Sequence, residues 1–168
     1  MHMSEFDDAY EDQQRIRGAI METPISDLPL RDPILIDATA TVADAVKSMN
    51  DHHTGCVLVG KDGKLVGIFT ERDVLTKDFF RADSHTVAVE TVMTKNPETL
   101  EADNSIAFAL NKMSVGGYRH IPIVEGAKPV GVLSVRDVVD FLVELFPEDV
   151  LNLPPTPKNA ITNSVDGG

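Results

Sequence analysis

The chain contains 168 residues, of which 42% are hydrophobic and 25% are charged, so it is long enough for one ordinary domain or for two half-size units that share a core. This composition excludes a chain that is disordered over most of its length. Acidic residues outnumber basic residues by 27 to 15 and give a net charge of -12, so we expect no binding to nucleic acid or to an anionic membrane, whose phosphates the surface would repel.

Residues 1–23 form an acid-rich accessory segment that we predict to be partly helical. Its apolar residues, spaced as on one face of a helix that lies against the core, are Phe6, Tyr10, Ile16 and Ile20. The segment lacks the basic start and apolar centre of a signal peptide, and no apolar stretch approaches the roughly 20 residues of a membrane helix. The single cysteine, Cys56, has no partner for an internal disulfide. We therefore expect a cytoplasmic protein.

Residues 24–80 and 88–146 are two copies of one unit. The stretch Gly67-Ile68-Phe69-Thr70-Glu71-Arg72-Asp73 of the first copy recurs 64 residues later as Gly131-Val132-Leu133-Ser134-Val135-Arg136-Asp137. Each copy predicts the order strand, helix, strand, strand, helix. One copy alone would bury too little surface to be stable, so we predict an α/β (α+β) fold in which the two copies pack as one module.

The first part of each copy is a short strand followed by an amphipathic helix. The strands are predicted at Ile34-Leu35-Ile36 and Glu98-Thr99-Leu100. Apolar residues then recur at helical spacing, and Thr41 and Ser105 stand where the helix N-caps should be.

The second part of each copy is a hairpin followed by a second helix. The first strands of the hairpins are the apolar runs Cys56–Val59 and Ile121–Val124. The second helices are predicted to begin at Thr70 and Ser134, and the one in the second copy to continue to about Phe146. Residues 147–168 are proline-rich and then small and polar, and we predict an extended tail that is partly disordered.

The motif Gly-x-x-Thr/Ser-x-x-Asp, which spans the junction of strand and helix in both copies, has two interpretations. Thr70 with Asp73, and Ser134 with Asp137, form a box of hydrogen bonds that caps a helix. The same groups also suit a nucleotide, because a hydroxyl can bind phosphate and a carboxylate can accept both hydrogen bonds of a ribose diol. Cap and site can coexist.

These motifs, with Tyr118-Arg119-His120-Ile121-Pro122-Ile123-Val124 before the second, resemble a tandem pair of cystathionine beta-synthase (CBS) domains, the Bateman module. The resemblance implies two repeats related by a pseudo-twofold axis, with two clefts between them. It also implies adenosine-containing ligands, here AMP, ADP or ATP, and a homodimer.

The resemblance assigns residues to each cleft. For the Asp73 cleft these are Thr70, Arg72, Asp73, Glu98, Thr99, Arg119, His120 and Pro122. For the Asp137 cleft they are Ile34, Leu35, Cys56, Val57, Ser134, Arg136 and Asp137. Since Arg119 and His120 stand where the first copy has Gly55 and Cys56, we expect the Asp73 cleft to be the more cationic and to dominate binding.

The expected function is a regulatory sensor that binds adenosine nucleotides and signals by a conformational change of its own dimer or of a partner protein in trans. The alternative is a ligand-free module for oligomerisation or assembly with a partner protein, in which Thr70 and Ser134 are caps only. We expect no enzymatic activity, because no pair of nucleophile and base can be placed. We also expect no metal site, since the adjacent His52 and His53 point to different faces of a helix end.

Overall fold

A computed structural model describes residues 3–77 and 83–154. The helices are α1 Met3–Glu22, α2 Val42–Asp51, α3 Glu71–Thr76, α4 Ile106–Gly116, α5 Val135–Glu144 and α6 Pro147–Leu151. The strands are β1 Leu35–Asp37, β2 Cys56–Lys61, β3 Lys64–Thr70, β4 Thr94–Lys95, β5 Leu100–Glu101, β6 His120–Glu125 and β7 Lys128–Ser134. The order strand, helix, strand, strand, helix occurs twice, so the predicted α+β fold with an internal repeat is confirmed.

The strands form two small sheets, and β4 of the second copy joins the sheet of the first. The first has the order β1-β2-β3-β4 and the second the order β5-β6-β7; in both, a parallel pair precedes an antiparallel hairpin. The hairpin between β2 and β3 turns at Asp62 and Gly63, which both have positive φ, as the tight turns of twisted hairpins require. A register shift interrupts the hairpins at equivalent places, Val59/Gly60 and Ile123/Val124.

The N-terminal end of the first repeat, residues 25–31, packs on the second repeat. The amide of Ile25 donates to the carbonyl of Asn104 at 2.8 Å, and the amide of Val132 donates to the carbonyl of Arg31 at 3.1 Å. Ile25 is fully buried, and Leu28 lies beside it in the core of the second sheet. Residues 25–31 therefore complete the core of a repeat that begins far later in the chain.

The connector between the repeats packs in the opposite direction. The amide of Val89 donates to the carbonyl of Ala40 at 2.8 Å, and the amide of Val42 to the carbonyl of Val87 at 2.9 Å. Val89 is fully buried in a cluster that includes Phe69. Each repeat thus covers its core with residues from the N-terminal border of the other repeat.

The glycines of the repeated motif accommodate these exchanged segments. A Cβ atom on Gly67 would collide with the side chain of Met93, and one on Gly131 would lie 3.0 Å from the Cβ of Leu30. Gly67 and Gly131 lie in the middle of β3 and β7, where the missing side chain permits close approach of a neighbour. In both copies the neighbour is a side chain of the exchanged segment: Met93 lies beside Gly67, and Leu30 lies beside Gly131.

Several predicted boundaries shift. The first strand of each repeat begins later than predicted, at Leu35 and Leu100. The last helix of the second repeat ends at Glu144, with Leu145 as its C-cap. Such differences are ordinary for helix and strand ends.

Two flanking predictions need larger corrections. The tail is not extended where it begins: Pro147–Leu151 is a helix, and proline at its first turn needs no amide donor. The part of the tail predicted to be disordered, beyond residue 154, lies outside the described residues. Helix α1 contacts α4, but Phe6 and Tyr10 are exposed while Ile16 and Ile20 are half-buried, so only its second half lies against the core.

We expect Ile25→Ala to destabilise the whole module, because it leaves a cavity in the core of the second repeat. A loss of about 2–5 kcal/mol in the free energy of unfolding is typical of this substitution in a core. Urea denaturation would measure it, with Val115→Ala, which shortens an exposed side chain, as the control. A loss no larger than that of the control would contradict the structural role of the exchanged segment.

Candidate functional site

Both predicted motifs form complete capping boxes. The amide of Thr70 donates to Asp73 Oδ2 at 2.9 Å, and the amide of Asp73 donates to Thr70 Oγ1 at 3.4 Å. The corresponding distances for Ser134 and Asp137 are 2.7 and 3.2 Å. The sequence prediction of a cap is therefore confirmed in both copies, as it is for Thr41. Ser105 occupies the N-cap position of α4, but its side chain makes no capping hydrogen bond.

The two carboxylates differ in their remaining contacts. Lys77 Nζ lies 3.0 Å from Asp73 Oδ1 and also donates to the carbonyl of Val92. Asp73 is only 8% exposed. Phe141 occupies the position of Lys77 in the second repeat, so Asp137 lacks this ion pair.

Asp73 opens onto a cavity of about 650 Å³ between the two repeats. Of the residues predicted for this cleft, the cavity is lined by Thr70, Arg72, Asp73, Glu98, Arg119 and His120. Thr99 and Pro122 do not line it, and Pro122 is buried within β6. Residues that the sequence analysis missed include Lys95, Pro97 and Tyr118. The elements that meet here are β3, α3, β4 and the chain between α4 and β6.

A second cavity, of about 340 Å³, lies on the Ser134 side. Of the residues predicted for the second cleft, it is lined by Ile34, Cys56, Ser134 and Arg136. Leu35, Val57 and Asp137 do not line it. Val57 is fully buried in the core, and Leu35 is half exposed elsewhere on β1. The sequence analysis missed Arg31 and His53, because the segments that carry them show no motif.

Three side chains line both cavities: Glu71, Arg119 and His120. The sequence analysis assigned Arg119 and His120 to the Asp73 cleft alone and therefore expected that cleft to be the more cationic. The charged side chains around the two cavities contradict this expectation. Arg31, Arg119 and Arg136 line the smaller cavity with two carboxylates, whereas Arg72, Lys95 and Arg119 line the larger one with three.

His120 is the most enclosed of the three side chains that line both cavities. A Cβ atom on Gly55 would lie 3.1 Å from the imidazole and 3.2 Å from a carboxylate oxygen of Glu71. Burial lowers the pKa of His120, because it removes water from the charged ring; Glu71 and Asp137 oppose this effect. The imidazole is therefore neutral at neutral pH.

Cys56 lies at the edge of the smaller cavity but is not a reactive thiol. Burial raises its pKa to about 12, and the carboxylate of Glu71 adds to the effect. Cys56 is buried and packs as a small apolar side chain.

The described part of the chain has neither a candidate membrane helix nor a candidate metal cluster. None of its helices has both the length and the apolar character needed to cross a membrane. Within residues 3–77 and 83–154, no group of three or more histidine, cysteine, aspartate or glutamate side chains is placed to hold a metal ion.

The sequence matches a family model twice. The model describes the CBS domain, and the matches cover residues 25–79 and 89–144. The chain belongs to the CBS domain family. Each match contains one copy of the repeated motif.

Relatives extend this CBS assignment. The chain is 32% identical to an uncharacterized 17.7 kDa protein of Acidianus ambivalens, over 74% of this chain and 76% of that protein. It is 34% identical to the mitochondrial CBS domain-containing protein CBSX3 of Arabidopsis thaliana, over 67% of this chain but only 58% of that protein. A CBS domain protein from Pyrobaculum aerophilum, whose structure is a complex with AMP, is 25% identical, with a TM-score of 0.65 over 73% of this chain and 98% of the other.

His120 predicts a pH dependence of stability. Its pKa is lower in the folded chain than the value of 6.5 for an unperturbed histidine, so as the pH falls through 6.5 the unfolded chain takes up a proton before the folded chain does. Stability is thus lost as the pH falls, until the folded pKa is reached. We expect His120→Gln to lose less stability than the parent between about pH 7.5 and pH 5.5.

Thermal unfolding at several pH values would measure this effect. His85→Gln is the control, because His85 is exposed. If the parent and His120→Gln lose the same stability over this range, the assignment to His120 is wrong.

Proposed function

We propose that the chain is a regulatory CBS pair that binds an adenosine nucleotide, AMP, ADP or ATP, in the cavity beside Asp73. The observation that carries the proposal is that this cavity joins Thr70 and Asp73 of one repeat to Arg119 of the other. The relative from Pyrobaculum aerophilum, which is complexed with AMP, supports the same class of ligand.

The Asp73 carboxylate retains capacity for a ribose hydroxyl. A carboxylate offers about four acceptor positions. Two at Oδ2 accept the amide and hydroxyl of Thr70, and one at Oδ1 faces Lys77. The remaining position can accept a hydroxyl without breaking the cap, while Arg72 and Arg119 supply positive charge for phosphate.

Binding of such a ligand would couple to conformation because its partners belong to both repeats. A ligand that contacts α3 and Arg119 together favours the arrangement in which they face each other, and it shifts the population towards that arrangement. The signal would pass through a homodimer of this chain or to a partner protein in trans. We do not propose a catalytic role.

The complete capping boxes favour a second candidate, a module that assembles with other proteins without any ligand. Thr70 and Ser134 satisfy their helix ends in the absence of a nucleotide. This candidate makes the opposite prediction for ligand binding.

A thermal-shift screen with AMP, ADP, ATP, NAD and S-adenosylmethionine would separate the two candidates. A ligand at 100 times its dissociation constant adds about 2.7 kcal/mol to stability, so we expect a clear rise in unfolding temperature with at least one adenine nucleotide. If no compound raises the unfolding temperature of protein shown to be free of bound ligand, only the second candidate, the assembly module, remains.

Asp73→Asn tests the role assigned to the carboxylate. We expect the affinity for AMP, measured by calorimetry, to fall roughly tenfold or more, because a hydrogen bond to a charged group is lost. Asp137→Asn should have a smaller effect, since Asp137 does not line either cavity.

Asp44→Asn is the matched control. Asp44 forms a capping box with Thr41 of the same kind, with an amide-to-carboxylate distance of 3.0 Å, and lines neither cavity. It should cost comparable stability without weakening binding. Equal losses of affinity for Asp73→Asn and Asp137→Asn would contradict the dominance of one cleft.

A further inference from the structure

The two cavities adjoin along a shared boundary. Arg119, His120 and Glu71 line both of them. Arg119 directly precedes β6, and His120 is its first residue. Glu71 begins α3, and the amide of Glu71 donates to the carbonyl of Gly55 at 2.9 Å. A ligand that reaches Arg119 from the larger cavity is therefore already at the edge of the smaller one.

The smaller cavity has the side chains of an anion site. Arg31, Arg119 and Arg136 line it, against the carboxylates of Asp32 and Glu71. Within residues 3–77 and 83–154, neither Arg31 nor Arg119 has a carboxylate within 4.0 Å, whereas Arg136 Nε lies 4.0 Å from Asp140 Oδ2 in a pair whose two side chains are exposed and which therefore contributes little. Arg31 only donates to the carbonyl of His53, at 3.4 Å. Guanidinium groups left without a carboxylate beside a cavity are suited to phosphate oxygens.

The same cavity lacks the group that would hold a ribose. Asp137 does not line it, although Ser134 of the same capping box does. The larger cavity has the opposite character: Asp73 lines it, and its three cationic side chains face three carboxylates. One cavity is thus suited to a nucleoside and the other to a chain of phosphates.

We propose that one adenosine polyphosphate spans both cavities, with its nucleoside beside Asp73 and its terminal phosphates on Arg31 and Arg136, on either side of Arg119. This inference rests on the proposed function, and it names the member of the ligand class that the chain prefers. ATP reaches the arginines of the smaller cavity, whereas the single phosphate of AMP stops near Arg119. The order of affinity is then ATP, ADP, AMP, with one ATP per chain.

His120 fits this arrangement as a neutral neighbour. Its buried ring is uncharged at neutral pH, so it offers a hydrogen bond at the boundary while the arginines supply the charge. The preference for ATP is therefore set by the guanidinium groups.

Calorimetric titration of the full chain with AMP, ADP and ATP tests this proposal. We expect ATP to bind at least roughly tenfold more tightly than AMP. One hydrogen bond between a guanidinium and a phosphate changes a dissociation constant by about this factor. Arg31→Gln and Arg136→Gln should each remove most of this advantage and leave the affinity for AMP within about twofold.

Arg17→Gln is the control for the change in net charge. Arg17 lies on α1, outside both cavities. Three results would each overturn the spanning arrangement: equal affinities for AMP and ATP in the parent chain, two ATP molecules per chain, or an equal loss of AMP and ATP binding in Arg31→Gln. In each of these cases, binding of AMP would still support the proposed function. If no nucleotide binds, the proposed function fails with it.

Discussion

The exchange of segments between the repeats is the constraint on which the rest of the structure depends. Residues 25–31 fill the core of the second repeat, and Val89 with its neighbours fills the core of the first. Because each core is completed by residues of the other repeat, we expect neither repeat to be stable alone. Gly67 and Gly131 are needed where the exchanged segments cross the strands.

This exchange also creates the cavities. Because Arg31 lies on the segment that crosses to the second repeat, it reaches the smaller cavity together with Ser134 of that repeat. Lys95 likewise follows the connector and reaches the larger cavity beside Thr70. The charges at each cavity therefore come from at least three parts of the chain, and a ligand that binds them must hold both repeats in one relative position.

The sequence predicts the repeated parts of the fold well and the unrepeated parts poorly. Two copies of one motif predicted the elements, the capping boxes and the place of Thr70, Asp73 and Ser134, because local hydrogen bonds and hydrophobic periodicity determine these features. The position of Arg31 at the smaller cavity could not be predicted, because it depends on which core residues 25–31 fill. For the same reason the sequence assigned Arg119 to one cleft, although tertiary packing places it between two.

The register shifts of the two hairpins have an implication for the origin of the chain. They fall at Val59/Gly60 and at Ile123/Val124, which are equivalent positions of the two copies. A bulge is a specific local feature that adds twist to a strand, and its presence at one position in both copies indicates that it existed in the ancestral unit before the duplication. Lys77 and Phe141 occupy another equivalent pair of positions but differ in chemistry. The geometry of the hairpin is thus inherited and shared, whereas the surroundings of the two motif carboxylates diverged afterwards.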